Sequence, residues 1–79
     1  IGVAVRDLAQ SEILFEKLLG TASYKRETVA SEGVTTSFFQ AGDTKVELLE
    51  STDRQGVIAR FIEKKGEGIH HIAFEVADI

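Results

Sequence analysis

Two side chains of the 79-residue sequence combine the types and positions that could do chemistry, Glu47 and His71. If residues 45–49 form a strand, Val46 and Leu48 share one face and Lys45, Glu47 and Leu49 the other. With the apolar pair packed against helices, Glu47 looks into the opposite, concave side of the sheet. In a strand over 69–77, His70, Ile72, Phe74 and Val76 share a mainly apolar face. His71, Ala73, Glu75 and Ala77 share the other, where small neighbours leave room. A carboxylate and an imidazole on one concave face suit a divalent metal such as Zn, Fe, Co or Ni. Two ligands do not complete a mononuclear site, and no other residue is an obvious donor from that face. The plainer alternatives are a half-exposed strand glutamate and a histidine turned to solvent or to the helix layer.

Other chemistry is weakly signalled. Lys64-Lys65 reads as the solvated end of a helix, where cations also suit the dipole. The turns around Gly42 and Gly66 lack the spacing and the strand-to-helix context of a phosphate loop. No serine–histidine–acid arrangement stands out.

The elements that must position Glu47 and His71 are legible. A strand over 1–6 precedes a helix running to Leu19, with Asp7 and Gln10 as a capping box and Gly20 as terminator. Leu14, Phe15, Leu18 and Leu19 supply its apolar stripe, while Glu12, Glu16 and Lys17 face solvent. Three strands follow, over 23–30, 34–40 and 45–49, turning at 31–33 and 41–44. Their short links predict an antiparallel meander. A second helix is expected over 54–65, with Thr52 and Gln55 as its capping box. Val57, Ile58, Phe61 and Ile62 form its buried stripe and Gly66 its end. The order strand, helix, three strands, helix, strand predicts an α+β unit with helices covering one sheet face.

Composition limits the function classes. The chain is 43% hydrophobic and 28% charged, as a globular domain requires. Nine basic and thirteen acidic side chains give a net charge of −4 with no basic block, which argues against a nucleic-acid partner. No apolar run is long enough for a membrane span or the core of a signal peptide. The absence of cysteine removes disulfides and thiol catalysis. Nothing requires secretion, and a cytoplasmic location is expected.

The first eight residues align with the last eight at an offset of 71. Ile1, Val5 and Asp7 recur as Ile72, Val76 and Asp78, and Gly2, Val3 and Leu8 are matched conservatively by Ala73, Phe74 and Ile79. The period is too long for a solenoid and suggests two fused modules. Residues 1–66 are then a first βαβββ module with its linking helix, and 67–79 the connector and opening strand of a second. The repeat also predicts that the position before Ile1 corresponds to His71. A compact open sheet ending in a short strand is the alternative.

The segments 2–8 (GVAVRDL), 43–50 (DTKVELLE) and above all 66–76 (GEGIHHIAFEV) resemble the methylmalonyl-CoA epimerases. These are members of the vicinal oxygen chelate superfamily, related to glyoxalase I. The resemblance implies paired βαβββ modules forming a U-shaped sheet around a divalent metal, Co first, with Zn, Mn, Ni or Mg as alternatives. It implies Glu47 and His71 as two ligands. A histidine before Ile1 and a glutamate late in the second module are the others, with the acid/base carboxylate also outside these residues. Glu75 is a candidate for support behind the ligands. The implied reaction is epimerisation of (2R)/(2S)-methylmalonyl-CoA by proton removal α to the thioester, in a homodimer acting on an acyl-CoA.

Two departures stand out. The sequence Ser51-Thr52-Asp53-Arg54-Gln55-Gly56 replaces a proline-containing stretch of the relatives, and a glutamate that some of them carry as a candidate base falls near Thr36. The competing functions are a glyoxalase-type lyase or isomerase acting on a thiol adduct, a metal-free small-molecule binding module, and a half-length interaction protein or pseudo-enzyme.

Overall fold

Asp7 ends one element and starts the next. Its extended backbone leaves the first strand, and its carboxylate accepts the Gln10 N–H at 3.0 Å. The computed structural model describes residues 1–71. In chain order these form β1 (Gly2–Ala4), α1 (Leu8–Leu19), β2 (Lys25–Val29), a 3-10 turn (Ala30–Glu32), β3 (Val34–Ala41), β4 (Thr44–Ser51), α2 (Val57–Lys65) and β5 (Gly68–His71). The order agrees with the expected one. The matches to Ile72, Ala73, Phe74, Val76, Asp78 and Ile79, like Glu75, lie outside the described residues.

The sheet runs β2-β3-β4-β1-β5. The expected meander is present, with β2 antiparallel to β3 and β3 antiparallel to β4. β1 inserts parallel to β4, and β5 lies antiparallel on the far side of β1. α1 is the crossover that a chain needs between its first strand and the meander.

The helices do not cover one face. Leu48 and Leu49 are successive residues of β4 and point to opposite sides. Leu48 is buried with Val5, Leu8, Phe39 and Val46, against which Phe15 and Leu19 of α1 pack. Leu49 is buried with Ala4, Val34, Ile58 and Ile62, against which Phe61 of α2 packs. Each helix therefore has its own small core. A sheet whose centre is apolar on both sides needs a cover on both, and one helix per side supplies it.

The stripe of α1 is rotated from the expected one. Leu8, Phe15 and Leu19 meet the sheet, whereas Leu14 and Leu18 are exposed, as is Ile13. The rotation is fixed at both helix ends and in the middle. Glu50 of β4 accepts the Leu8 N–H at 2.6 Å, and the Gly20 N–H closes the last turn on Glu16 from a left-handed conformation. In the middle Glu12 turns inward rather than to solvent. It accepts a bidentate pair of bonds from Arg26 and a third from Ser37, whose hydroxyl is also 2.7 Å from that of Ser23. The Arg26 hydrogen bonds hold the Glu12 carboxyl below the ordinary carboxylate range, against the opposing effect of its partial burial.

α2 starts later than expected and without a capping box. Its N-cap is Gly56, with no side-chain hydrogen bond to the helix. The Asp53 carboxylate takes the Gln55 N–H at 2.7 Å in an Asx turn, which competes with helix formation at that point. The Thr52 N–H instead donates to the Gly33 carbonyl at 2.9 Å, tying this loop to the β2–β3 turn.

Candidate active site

Gly2 lies between the two residues of chemical interest. In the sheet register it pairs with Glu47 of β4 on one side and His71 of β5 on the other. A Cβ at Gly2 would lie 2.6 Å from both ring nitrogens of His71, so the imidazole rests over bare backbone. This lets the ring reach across β1, and His71 Nε2 stands 3.5 Å from Glu47 Oε2. The two side chains expected to share a concave face do share it. Side-chain exposure is 43% for His71 and 29% for Glu47, so both are reachable without being fully solvated.

That separation suits a shared ion. Bonds of about 2.0–2.2 Å place two donors of one tetrahedral or octahedral shell about 3.0–3.5 Å apart. A carboxylate oxygen and an imidazole nitrogen are also the donor types that borderline divalent metals accept. The residues present fit such a centre as two of its ligands. Among the described residues no group of three or more histidine, cysteine and acidic side chains is arranged to hold an ion. Glu75 lies outside the described residues.

His70 departs from the expected face. The register shifts by one residue between Gly2 and Val3, where His71 pairs with Gly2 and Ile69 with Val3. His70 is the extra residue of a β-bulge, and strict alternation fails there. Its ring meets the Phe61 ring edge to face at 5.0 Å, and both histidines line the same cleft. The two Nδ1 atoms are 3.1 Å apart.

The cleft measures about 1100 Å³ and opens over the sheet face shared by Thr36, Phe38, Glu47 and Leu49. The Gly33 turn and the loop leading into α2, joined by the Thr52 N–H to Gly33 carbonyl bond, both line it. Thr36 is buried in the floor and paired with Leu49, one step along the sheet from the Phe38–Glu47 pair. The residues missed from sequence are Gly2 and Glu27. Glu27 of β2 pairs with Thr36 of β3 and lines the cleft. The period-2 pattern of 25–29 held a signal for Glu27, whereas Gly2 shows its purpose only when β4 and β5 flank it.

Comparison with known proteins adds the family. The model of the glyoxalase/bleomycin resistance protein/dioxygenase superfamily matches residues 1–79. The chain belongs to this superfamily. Among curated relatives it is 43% identical over 74 residues to the uncharacterized protein YqjC of Bacillus subtilis, covering 94% of this chain and 53% of that one. It is 35% identical to the mitochondrial methylmalonyl-CoA epimerase of Homo sapiens, covering 100% of this chain and 46% of the other. A variant of the Streptomyces coelicolor methylmalonyl-CoA epimerase, solved with 2-nitronate-propionyl-CoA, superposes with a TM-score of 0.89 at 30% identity. That match covers 100% of this chain and 59% of the solved one. The chain thus spans about half the length of the curated relatives it matches. The βαβββ order described above is the module of this superfamily. No helix among the described residues is long and apolar enough to cross a membrane.

Proposed function

We propose that this chain supplies half of the divalent-metal centre of a methylmalonyl-CoA epimerase. The observation that carries the reading is the approach of Glu47 Oε2 to His71 Nε2, 3.5 Å, over the bare backbone of Gly2. The relatives' names and the complex with an acyl-CoA analogue supply the substrate class. Residues 1–66 are taken as the first βαβββ module and its linking helix, and 67–79 as the connector and opening strand of the second.

Epimerisation removes a proton from the carbon between a thioester and a carboxylate and returns one to the opposite face. Negative charge develops on the thioester oxygen as the proton leaves. A divalent ion, if held here, would supply positive charge to stabilise that oxygen and so would lower the barrier to proton loss. Co is the first candidate, with Zn, Mn, Ni or Mg as alternatives. Glu47 and His71 would hold it, and the charge of Glu47 would offset part of the ion's own. Phe38 and Leu49 give the cleft an apolar floor that excludes water from beneath the substrate. Thr36 presents a hydroxyl in place of a carboxylate, so the proton carrier and the remaining ligands are assigned outside these 79 residues. The same reading keeps Glu75 as a candidate for supporting the ligands and expects a homodimer in the cytoplasm.

Proton exchange tests the reading. The intact protein is expected to bind one equivalent of divalent metal per site and to exchange the α-proton of methylmalonyl-CoA for deuterium in heavy water. Chelation should stop the exchange and Co²⁺ should restore it. Glu47→Ala and His71→Ala should each lower it at least about 100-fold. Exchange that survives chelation, or is indifferent to both substitutions, overturns the reading. The direct Glu47–His71 contact would also satisfy a metal-free binding module. Such a module would bind an acyl-CoA without metal uptake or exchange.

A further inference from the structure

The two neighbouring histidines touch one another, their rings edge to face with centroids 5.3 Å apart. His70 is brought beside His71 by the β-bulge, and its Nδ1 stands 3.1 Å from His71 Nδ1. At that distance one nitrogen carries the hydrogen and the other accepts it. The direction decides what His71 presents to Glu47. If the Nδ1–H belongs to His71, a neutral His71 leaves Nε2 bare, as a metal ligand must be. If it belongs to His70, a neutral His71 carries its hydrogen on Nε2, facing the Glu47 carboxylate. Both arrangements keep the 3.1 Å bond, because an imidazole can serve as donor or acceptor.

We propose that His70 is a positioning residue for the metal centre, reversing its hydrogen bond with His71 so that His71 Nε2 is bare when an ion is present. The inference rests on the epimerase reading and deepens it. Ligating histidines ordinarily have their second nitrogen fixed by a carboxylate, a backbone carbonyl or water. Here a second imidazole takes that place. When an ion binds, the His71 Nε2 hydrogen leaves to solvent as a proton, and the shared hydrogen passes from His70 Nδ1 to His71 Nδ1. His70 Nε2 takes up one proton from solvent, so both rings stay neutral; the exchange runs backwards when the ion leaves. Phe61 holds the His70 ring edge-on, so the acceptor stays aimed at His71.

The test separates ring packing from hydrogen bonding. His70→Phe keeps an aromatic ring against Phe61 and removes the acceptor, whereas His70→Asn keeps an amide that can donate or accept. Calorimetric titration of the intact protein with Zn²⁺ is expected to show affinity lowered about 10–100-fold in His70→Phe. The loss in His70→Asn should be at most about threefold. In ¹⁵N-labelled wild-type protein a coupling across the hydrogen bond should link the two Nδ1 nuclei. The hydrogen should sit on His70 without metal and on His71 with Zn²⁺. Unchanged Zn²⁺ affinity in His70→Phe, or no such coupling, overturns this inference while the metal reading stands. Absence of Zn²⁺ uptake by the wild type overturns both.

Discussion

Gly2 bears the most specific demand in the site, although it contributes no functional group. Any side chain there meets the His71 ring, so Gly2→Ala should displace the imidazole from Glu47 while leaving the strand intact. The expected outcome is a loss of at least about tenfold in Zn²⁺ affinity, measured by calorimetry. The unfolding midpoint should fall by no more than a few degrees, since β1 pairs on both sides through its backbone. Equal metal affinity in the variant would show that His71 has another route to the ion. Glu47 and His71 were legible as chemistry from residue type and strand alternation alone. His70 was not, because a bulge changes the face of a residue without changing the residue.

At the scale of the element, the polar contact beneath α1 is the feature to test. Glu12 holds α1 to β2 and β3 through Arg26 and Ser37. Its carboxyl titrates below the ordinary value of about 4.3, mainly through the Arg26 hydrogen bonds. A folded-state value below the unfolded one means that the unfolded chain takes up the proton first. This contribution to stability is therefore complete above the unfolded value and fades as pH falls through the folded one. Glu12→Gln should destabilise by about 1 kcal/mol near pH 7, a modest figure because Arg26 is half exposed. Its deficit against the wild type should shrink below about pH 4. Denaturant melts of both proteins from pH 7 to pH 3 check this, and a deficit constant with pH would remove Arg26 as the cause. Asp7→Ala, which deletes the α1 cap, should cost about 1 kcal/mol independently of that network. The helix caps at Asp7 and Gly20 were readable locally. The rotation of α1 was not, because Leu14 and Leu18 are as apolar as Leu8 and Leu19, and only the sheet beneath chooses among them.

Over the whole molecule, the candidate ligands join parts of the chain that local structure keeps separate. Glu47 lies on β4 and His71 on β5, with β1 between them. An ion held by both therefore clips three strands together. Metal binding to the folded state alone should raise stability by about 2.7 kcal/mol at a free concentration 100 times the dissociation constant. Thermal melts with and without Co²⁺ or Zn²⁺ measure this. The gain should vanish in His71→Ala, whose metal-free melting should stay close to that of the wild type because the ring is exposed.

Local sequence determined the parts: which stretches are strands, where α1 begins and ends, and which two side chains have the donor types of the proposed pair. Those features follow from turn chemistry, capping and the two-residue period, all of which act over a few neighbours. Tertiary structure decided the rest. It set α1 and α2 on opposite faces, bent β5 at His70, and placed Gly2 where Glu47 and His71 can meet above it. Each of these depends on which strand lies beside which, and a strand's pattern of apolar residues does not specify its neighbours.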